Sequence, residues 1–597
     1  MVVFDEAHNL VEAVHGAYGA MLTGRQVSAV HAMLTAYVER FYSRLSICNL
    51  RHLRTLTALC KAFLAALRQP PGARAASSEV RSLNDFIFSC GADNVNMFSL
   101  VRYLKESKVA HKIAGYAEHV VAASRDASGG EAAKWDWEDD AALGVVVPPV
   151  DPRVNHPTNP TTPRVGAVHA LAAFVASLAS ADADGRILVE HEPHATASAD
   201  TDGRAGPNPE GGGSNPGGDG GRLKFVLLDA AGRFKQVVDE ARAVVLVGGT
   251  LSPIPELARQ LFPDAKPVSA SASASGEARP VGRSLTWLSC GHVVPRDSLL
   301  PMAVGAGPSG RAFDFSFAAR GTPEMMDELG RLLVNACAVV PGGVVVFFPS
   351  FKYADDVYAR WVKTNAVGQL SKHKFVFREP RTAAKVEKVL RDFAAAVDNG
   401  VDAGRTGSGG KVGGRTGAVM LCVCGGKLSE GINFKDDLGR LVVMVGLPFA
   451  NPDEPELRAR MQHLDAAEEA DLNPSVGQNI HAAETSTSQK TRGRAYYEAL
   501  CMRAVNQSVG RAIRHMGDYA AIIFADARYA PPGARSGSPV GISTQLPGWI
   551  RERLAVPRTY GEVQSGLVRF FQARRRTEAV AIESAPEADD ETPRGNG

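Results

Sequence analysis

The spacing of hydrophobic and polar positions changes repeatedly along the chain. Short apolar runs rich in β-branched and aromatic residues predict buried strands, among them "VVF" at residues 2–4, "GGVVVFFPS", "GAVMLCVCGG", "RLVVMVGLPF" and "YAAIIFADAR". Between them, stretches such as "AKVEKVLRDFAAAV" repeat apolar residues every three or four positions, which is typical of amphipathic helices. Strands that alternate with helices in this way predict an α/β fold with parallel sheets covered by helices.

One long region departs from this alternation. From about residue 20 to 120 the pattern is helical with few strand signals, and proline-rich and glycine-rich runs follow it, including "GPNPEGGGSNPGGDGGR", which cannot pack a core. After these runs, "LKFVLLD" and "RAVVLVGGTLSP" again predict strands. We therefore expect an inserted, mainly helical block, with the sheet that begins at Met1 resuming near Leu223.

Composition narrows the class of protein. The 597 residues are 45% hydrophobic and 22% charged, as in soluble globular proteins, and a net charge of +2 means that any nucleic-acid surface must be local. No apolar segment of 18 residues predicts a membrane span. The eight cysteines contain no C-x-x-C pair. Cys422 and Cys424 lie two apart in a strand-like run, so both face one side of a sheet and predict core packing rather than metal binding.

Candidate chemistry begins at the first strand. Asp5 and Glu6 follow it directly, where α/β sheets place their ligands, and His8 lies two residues beyond. Adjacent carboxylates suit a nucleoside triphosphatase, in which one acid holds Mg²⁺ and the other orients the attacking water. The alternative is a strand that ends in a solvated acidic turn.

A second stretch, "NQSVGRAIRH" at residues 506–515, contains Q-x-x-G-R-x-x-R on a predicted helix. Arg511 and Arg514 are three residues apart and share a helix face, with Gln507 one turn before Arg511. Two guanidinium groups suit a phosphate in transfer, where an arginine finger supplies about 10³–10⁵ in rate. An exposed basic helix face is the alternative, which the presence of "DEAH" at residues 5–8 disfavours.

Five motifs stand in order along the chain: "DEAH", "GGTLSP", "VVFFPS", "GGKLSEGINF" and "QSVGRAIRH". They resemble motifs II to VI of the XPD-like, iron–sulfur type of superfamily 2 DNA helicases of the DEAH class. "LSCGHVVP" and "SEGINFKDDLGRLVVMVGLPFANPDEPELRARM" are most similar to the sister-chromatid-cohesion branch, the ChlR helicases. The repair helicase of transcription factor complexes is the alternative branch; the "CGH" at Cys290–His292 and Asn433 favour the cohesion branch.

The resemblance implies roles for individual residues. Asp5 would coordinate the Mg²⁺ of ATP, Glu6 would activate the water and His8 would couple the site to its neighbour. Thr250 and Ser252 would couple the ATP state to DNA, although both also suit a simple stabilised turn. The implied nucleotide-site residues are Asp5, Glu6, His8, Glu430, Gly431, Gln507, Gly510, Arg511 and Arg514. The implied DNA and coupling residues are Thr250, Ser252, Ser350, Tyr353 and Ser429.

The resemblance also implies two RecA-like motor domains with an inserted helical arch that encloses single-stranded DNA. We expect residues 1–20 to be a remnant of the first motor domain, 21–221 the arch with a disordered loop near 190–222, 222–300 the rest of the first motor domain, 301–576 the second motor domain and 577–597 a disordered tail. Lys105, Lys108 and Lys112 are candidate phosphate contacts, for which a solvated helix face is the alternative.

The chain departs from the family pattern at its start. A phosphate loop, G-x-x-x-x-G-K followed by Ser or Thr, and four cluster-binding cysteines are expected before "DEAH", and neither is present. "GGKLS" is a decoy because Leu428 stands where Ser or Thr is required. We therefore expect this chain to be a fragment that holds no 4Fe–4S cluster and hydrolyses ATP poorly on its own.

Two functions remain open. The first is a nuclear, ATP-dependent 5′-to-3′ DNA helicase that acts with replication and cohesion proteins on single-stranded and forked DNA, away from membranes. The second is a non-catalytic short form that binds DNA or protein. The presence of Glu6, Arg511 and Arg514 favours the first, because a chain without ATPase chemistry has no need of them.

Overall fold

The computed structural model describes residues 1–68, 77–116, 162–180, 184–191, 220–267, 284–292, 294–405, 414–428, 434–472, 491–513, 515–530 and 542–583. The disorder predicted around the glycine-rich runs falls largely outside these residues. Residues 577–583, predicted as the start of a disordered tail, continue the helix Tyr560–Glu583, and the rest of that tail lies outside the described residues. The chain forms two compact units. The first contains residues 1–8, 238–451 and 484–597, and the second contains residues 9–237 and 452–483.

Fourteen strands are formed by the described residues. In chain order they are β1 Val2–Phe4, β2 Ala20–Thr23, β3 Ser77–Ser82, β4 Gly185–His191, β5 Arg222–Leu227, β6 Val244–Leu246, β7 Lys266–Pro267, β8 Ser284–Leu285, β9 Leu299–Val304, β10 Gly342–Phe348, β11 Phe375–Arg378, β12 Gly417–Val423, β13 Leu441–Val445 and β14 Ala520–Ala525.

The α-helices of the described residues are Leu10–Tyr18, Gly24–Phe41, Ile47–Leu67, Leu83–Ser89, Met97–Ser107, Thr162–Ser180, Ala231–Glu240, Ile254–Leu261, Pro323–Val339, Phe351–Lys363, Ala366–His373, Ala383–Arg405, Pro455–Leu472, Arg492–Val509, Gly548–Arg551 and Tyr560–Glu583. None of these helices is long and apolar enough to span a membrane.

A six-stranded sheet dominates the first unit. Its strand order is β11-β12-β10-β13-β14-β9, and every neighbouring pair is parallel. The helices between consecutive strands supply the crossovers that parallel pairing requires. This sheet confirms the predicted α/β fold with parallel strands.

The continuous apolar runs are explained by burial on both faces of this sheet. Along β10, Val344, Val346 and Phe348 pack into one core, while Val345 and Phe347 pack into the other. Successive side chains of a strand point to opposite faces, so a sheet with helices on both sides needs apolar residues at every position. Cys422 is fully buried in one of these cores with Cys424 packed beside it, which confirms the core role predicted for this pair.

The second unit combines helices with a four-stranded antiparallel sheet of order β2-β5-β4-β3. Its longest helices begin at polar caps that the sequence provides. Thr23 and Gln26 form a reciprocal capping box at the start of Gly24–Phe41, and Ser46 caps Ile47–Leu67. The helix Pro455–Leu472 also belongs here, because Glu456 pairs with Lys224 and Arg460 pairs with Glu456 and His15.

The expectation that the first sheet resumes near Leu223 is wrong. Leu223 lies in β5, which pairs on both edges with antiparallel strands of the second unit. The partner of β1 is β6, some twenty residues later, with Val2 beside Val244. An apolar run predicts a strand but carries no information about which neighbour it pairs with, since every strand offers the same backbone hydrogen bonds.

Candidate nucleotide and nucleic-acid site

The parallel pair β1 and β6 places two of the motifs side by side. Beyond the paired residues, Val247 N–H donates to Phe4 O at 2.8 Å and Ala7 N–H donates to Val247 O at 2.9 Å. Parallel strands end at the same edge, so the "DEAH" acids and the turn that contains Thr250 leave this pair together. The structure thus joins motifs II and III through backbone hydrogen bonds.

The acidic tip is open to solvent and locally strained. Asp5 and Glu6 are exposed, and Asp5 Oδ1 accepts the Glu6 N–H at 2.9 Å. Glu6 has a φ of 48°, a conformation that non-glycine residues adopt at a cost and that clusters at functional sites. His8 is buried at 6% exposure, and its Nδ1 lies 3.1 Å from Glu6 Oε2. Accessible carboxylate oxygens at a strand tip are suitable Mg²⁺ ligands.

A buried amide connects motif III with motif VI. Asn506, on the helix Arg492–Val509, has no exposed surface, and its Nδ2 donates to Ser252 O at 3.3 Å and to Gln545 O at 3.1 Å. Its Oδ1 is buried without a hydrogen-bond partner. Because one side-chain amide bridges two segments far apart in sequence, Asn506 fixes the motif III turn against the motif VI helix.

A second contact lies at the end of the same helix. Gly510 ends the helix, and a side-chain carbon added there would lie 3.5 Å from Thr250 Cγ2, an ordinary packing distance. Arg511, the next residue, and Gln507, one turn earlier, are both half-buried. The structure therefore brings Thr250 and Ser252 together with the segment that carries Gln507, Gly510 and Arg511. Arg514 lies outside the described residues.

A cavity of about 670 Å³ opens beside the motif III turn. Ser252 and Gln545, whose carbonyls Asn506 binds, both line it. The remaining lining is largely apolar, with Arg259 and Arg551 as its charged residues. A group that entered this cavity would contact the same two segments that Asn506 joins.

Motif IV begins a helix, and its two predicted DNA-contact residues differ in exposure. Ser350 Oγ accepts the Tyr353 N–H at 3.2 Å and caps the helix Phe351–Lys363. Tyr353 is 4% exposed, its hydroxyl donates to Arg320 O at 3.0 Å, and burial raises the pKa of its phenol. The Tyr353 hydroxyl is therefore occupied inside the fold, so its position argues against a direct DNA contact. Ser350 is half-buried, and its role in DNA binding stays a prediction.

In motif V, the three predicted residues Ser429, Glu430 and Gly431 lie outside the described residues. Leu428, the residue directly before them, has no exposed surface. A buried leucine at this position agrees with the interpretation of "GGKLS" as something other than a phosphate loop, in which the equivalent hydroxyl must reach a metal.

The cysteines do not fit an iron–sulfur cluster. All eight are free and lie in the described residues, and burial raises the pKa of Cys60, Cys337 and Cys424 to about 12. A raised pKa disfavours the thiolate that ligates iron. Among the described residues, the one group with metal-ligand geometry is Asp436, His515 and Asp518. Asp518 is already paired with Arg440 at 2.9 Å.

Sequence reasoning missed Asn506, although it stands directly before the predicted Gln507. Its neighbours on the helix, among them Cys501, Met502, Val505 and Val509, are buried apolar residues. A polar amide among these apolar residues is the signal that the sequence offers for a structural contact, because a buried polar side chain needs a hydrogen-bond partner. The identity of the partners, two backbone carbonyls distant in sequence, comes from the fold alone.

Comparison with known proteins defines the class first. The family model described as "Helicase C-terminal domain" matches residues 333–549, a span that covers β10 to β14 and the motif VI helix. The chain therefore carries a helicase C-terminal domain, most of which lies in the first unit.

The particular family follows from the relatives. The chain is 34% identical over 588 residues to "ATP-dependent DNA helicase DDX11" of Danio rerio, covering 96% of this chain and 58% of the relative. It is 36% identical over 489 residues to the Homo sapiens protein of that name, covering 80% and 45%. Against "ATP-dependent DNA helicase chl1" of Aspergillus clavatus the identity is 30% over 585 residues, covering 96% and 66%. The chain belongs to the DDX11/CHL1 family, whose members are named as ATP-dependent DNA helicases.

The chain spans about 58% of the length of the DDX11 relative from Danio rerio. Among solved structures, S. tokodaii Xpd4 matches with a TM-score of 0.40 at 15% identity, covering 93% of this chain and 75% of that one. So distant a likeness adds nothing to the family assignment, which rests on the sequence relatives.

Proposed function

We propose that the native polypeptide containing this chain is an ATP-dependent DNA helicase that couples ATP hydrolysis to the unwinding of DNA. Relatives named as such helicases support the proposal, and so does the ordered set of motifs. Because the chain spans less than two thirds of those DDX11 relatives, the activity belongs to the complete polypeptide.

The residues of the site divide the nucleotide chemistry between them. Asp5 would hold the Mg²⁺ of ATP, which neutralises phosphate charge, and Glu6 would take the proton of the attacking water. His8, 3.1 Å from Glu6, would orient that carboxylate. Arg511 and Arg514 would approach the phosphates from the second motor domain, with Gln507 and Gly510 beside them. Gly431 and Glu430 would contribute to the nucleotide pocket.

DNA contacts are proposed at Ser350 and Ser429, and at the exposed Lys105, Lys108 and Lys112 of the second unit. We further propose 5′-to-3′ movement on single-stranded and forked DNA, a nuclear location, and partners among replication and cohesion proteins. The cohesion-branch sequence motifs support these finer statements.

The observation that carries the proposal is the Asn506 amide. Motif III follows the strand beside the acidic tip, and motif VI carries the arginine that would meet the phosphates. Asn506 lies on the helix that carries motif VI and donates a hydrogen bond to Ser252 O of motif III. A displacement of one motif would therefore be transmitted to the other. A motor that converts ATP state into DNA movement needs a physical connection of this kind.

The test is an unwinding assay with the complete native polypeptide on forked duplexes that carry one 5′ or one 3′ single-stranded tail. We expect ATP-dependent unwinding of the 5′-tailed duplex, and we expect Glu6→Gln to lower ATP hydrolysis by about 10²–10⁴-fold because it removes the base. Glu387→Gln, a change at an exposed glutamate of the same unit, is the matched control and should behave as the wild type.

Binding of DNA without any ATP hydrolysis by the wild-type polypeptide would overturn the proposal and favour the non-catalytic binding module. Unwinding of the 3′-tailed duplex alone would leave the helicase in place and reverse the proposed polarity.

A further inference from the structure

A buried carboxylate lies beneath the start of motif V. Glu379 follows β11 and is 8% exposed. Its Oε2 accepts the Val423 N–H at 2.8 Å and its Oε1 accepts the Leu428 N–H at 3.0 Å. The backbone N–H of Lys427 also donates to it. One side chain thus receives three backbone donors, one from the last residue of β12 and two from the segment that leads to the motif V residues.

The segment is shaped to wrap around this carboxylate. Gly425 has a φ of 70°, a left-handed conformation that favours glycine. A side-chain carbon added at Gly426 would lie 2.5 Å and 2.7 Å from the two oxygens of Glu379, so a larger residue cannot occupy that position without displacing the carboxylate. The glycines of "GGKLS" therefore serve an internal anion rather than a bound phosphate. Successive N–H groups that converge on an anion form the arrangement known as a nest.

Stability alone does not account for a carboxylate at this place. Among the described residues no basic side chain pairs with Glu379. The carboxylate accepts hydrogen bonds from backbone N–H groups instead. Burial raises the pKa of Glu379, although the backbone donors act in the opposite direction. A raised carboxyl pKa means that folding favours the protonated form, so the ionised form lowers stability at neutral pH. The geometry carries the argument: the carboxylate of Glu379 holds backbone N–H groups from both ends of this segment.

We propose that Glu379 is a positioning residue that fixes the turn of residues 423–428, from which the chain enters the motif V residues Ser429, Glu430 and Gly431. The inference rests on the proposed function, since those three residues act in it. It assigns Glu379 no contact with ATP or DNA. Its effect passes through the backbone hydrogen bonds from Val423 and Leu428.

The first experiment compares Glu379→Gln with the wild type in the complete native polypeptide. Glutamine keeps the size of the side chain but presents an NH₂ group in place of one carboxylate oxygen, so the N–H of either Val423 or Leu428 loses its acceptor. We expect amide hydrogen exchange to rise in peptides covering residues 423–428 and to stay unchanged in β10. We also expect the concentration of single-stranded DNA that half-saturates ATP hydrolysis, or the KM for ATP, to rise by at least about fivefold.

Glu387→Gln is the control for charge removal and should change neither quantity. If Glu379→Gln fails to fold, Glu379→Asp replaces it; the shorter acid keeps the charge but cannot reach both donors, and partial loss of exchange protection is expected. A pH series adds a readout that packing alone would not move. The wild-type KM should rise as the pH falls through the pKa of Glu379, and the KM of the glutamine variant should not.

Unchanged exchange at residues 423–428 in Glu379→Gln would overturn the inference, as would faster exchange with wild-type KM and DNA half-saturation, which would make Glu379 purely structural. Failure of the proposed function looks different, because the wild-type polypeptide itself would then show no DNA-stimulated ATP hydrolysis.

Discussion

Two parallel sheets of the first unit, the six-stranded sheet and the pair β1-β6, differ strongly in character. Every residue of β10 is buried, and apolar side chains fill the cores on both of its faces. In the two-stranded pair, Val3 of β1 is 55% exposed and Val245 of β6 is 39% exposed. A pair of strands contributes little stability by itself. Burial therefore stabilises the six-stranded sheet, whereas the pair that carries the acids depends on a few polar contacts for its position.

The largest expected effect separates these sheets directly. Phe347→Ala in β10 should lower the free energy of unfolding by about 3–5 kcal/mol, because it removes a fully buried ring and leaves a cavity. Val3→Ala in β1 should change it by less than about 0.5 kcal/mol, as surface substitutions do. Urea denaturation followed by circular dichroism measures both. Equal losses of unfolding free energy in the two variants would contradict this difference between the sheets.

A smaller effect is expected at the contact between motif III and motif VI. Asn506→Ala leaves Ser252 O and Gln545 O without their donor, and we expect a loss of about 1–3 kcal/mol in unfolding free energy. Asn506→Asp has the same shape but cannot donate when ionised, so it should cost at least as much.

The functional readout for the Asn506 variants is the ratio of ATP hydrolysis with and without single-stranded DNA. This ratio should fall toward one in both variants. If Asn506→Asp kept both the wild-type stability and the wild-type ratio of ATP hydrolysis, the Asn506 amide would not connect motif III with motif VI.

The ion pair between two helices that flank the six-stranded sheet should contribute about 1 kcal/mol or less, since both side chains are partly exposed. Asp327 accepts two hydrogen bonds from Arg360, at 2.9 Å and 2.7 Å, and these bonds lower the pKa of Asp327 below its usual 3.8. An acid with a lowered pKa stabilises the fold above its unfolded pKa, and this stabilisation is lost as the pH falls through the folded value.

Asp327→Asn should therefore be less stable than the wild type at pH 7, and the difference should vanish in acid once the pH lies below the lowered pKa of Asp327. Asp356→Asn, at an exposed aspartate on the same helix as Arg360, is the control. A pH-independent difference between Asp327→Asn and the wild type would assign the effect to packing instead of charge.

The smallest effect is expected on the surface. Arg381 lies 2.5 Å from Asp355, with side chains that are 68% and 40% exposed. Arg381→Gln should cost about 0.2–1 kcal/mol at low salt and less at 1 M salt, because exposed pairs are screened. Thermal denaturation at the two salt concentrations measures this difference in stability. A stability loss that persists at high salt would show that the pair behaves like a buried contact.

The sequence pattern was informative where burial is two-sided. The apolar runs of β10, β12, β13 and β14 need no knowledge of the neighbouring strands, because each position must be apolar in a sheet covered on both faces. The polar strand Ser77–Ser82 gave no such signal. It lies at the edge of its sheet, and its backbone hydrogen bonds to β4 leave no trace in side-chain pattern.

The same limit applies to the site. The acids and arginines stand out as candidates because nucleotide chemistry requires particular residue types at fixed spacing, and their roles stay predictions. The roles of Asn506 and Glu379 could not, since their partners are backbone groups distant in the chain, and any residue type can supply those. Tyr353 shows the opposite case, in which a residue beside a motif contributes its hydroxyl to the fold.

We propose that motifs II, III and VI form one ATP site that responds to DNA. The most direct measurement is single-turnover ATP hydrolysis by the complete native polypeptide and its Arg511→Ala variant, each with and without single-stranded DNA. We predict DNA-stimulated hydrolysis in the wild type and a loss of about 10³-fold or more in the variant. Wild-type rates in Arg511→Ala would contradict the account.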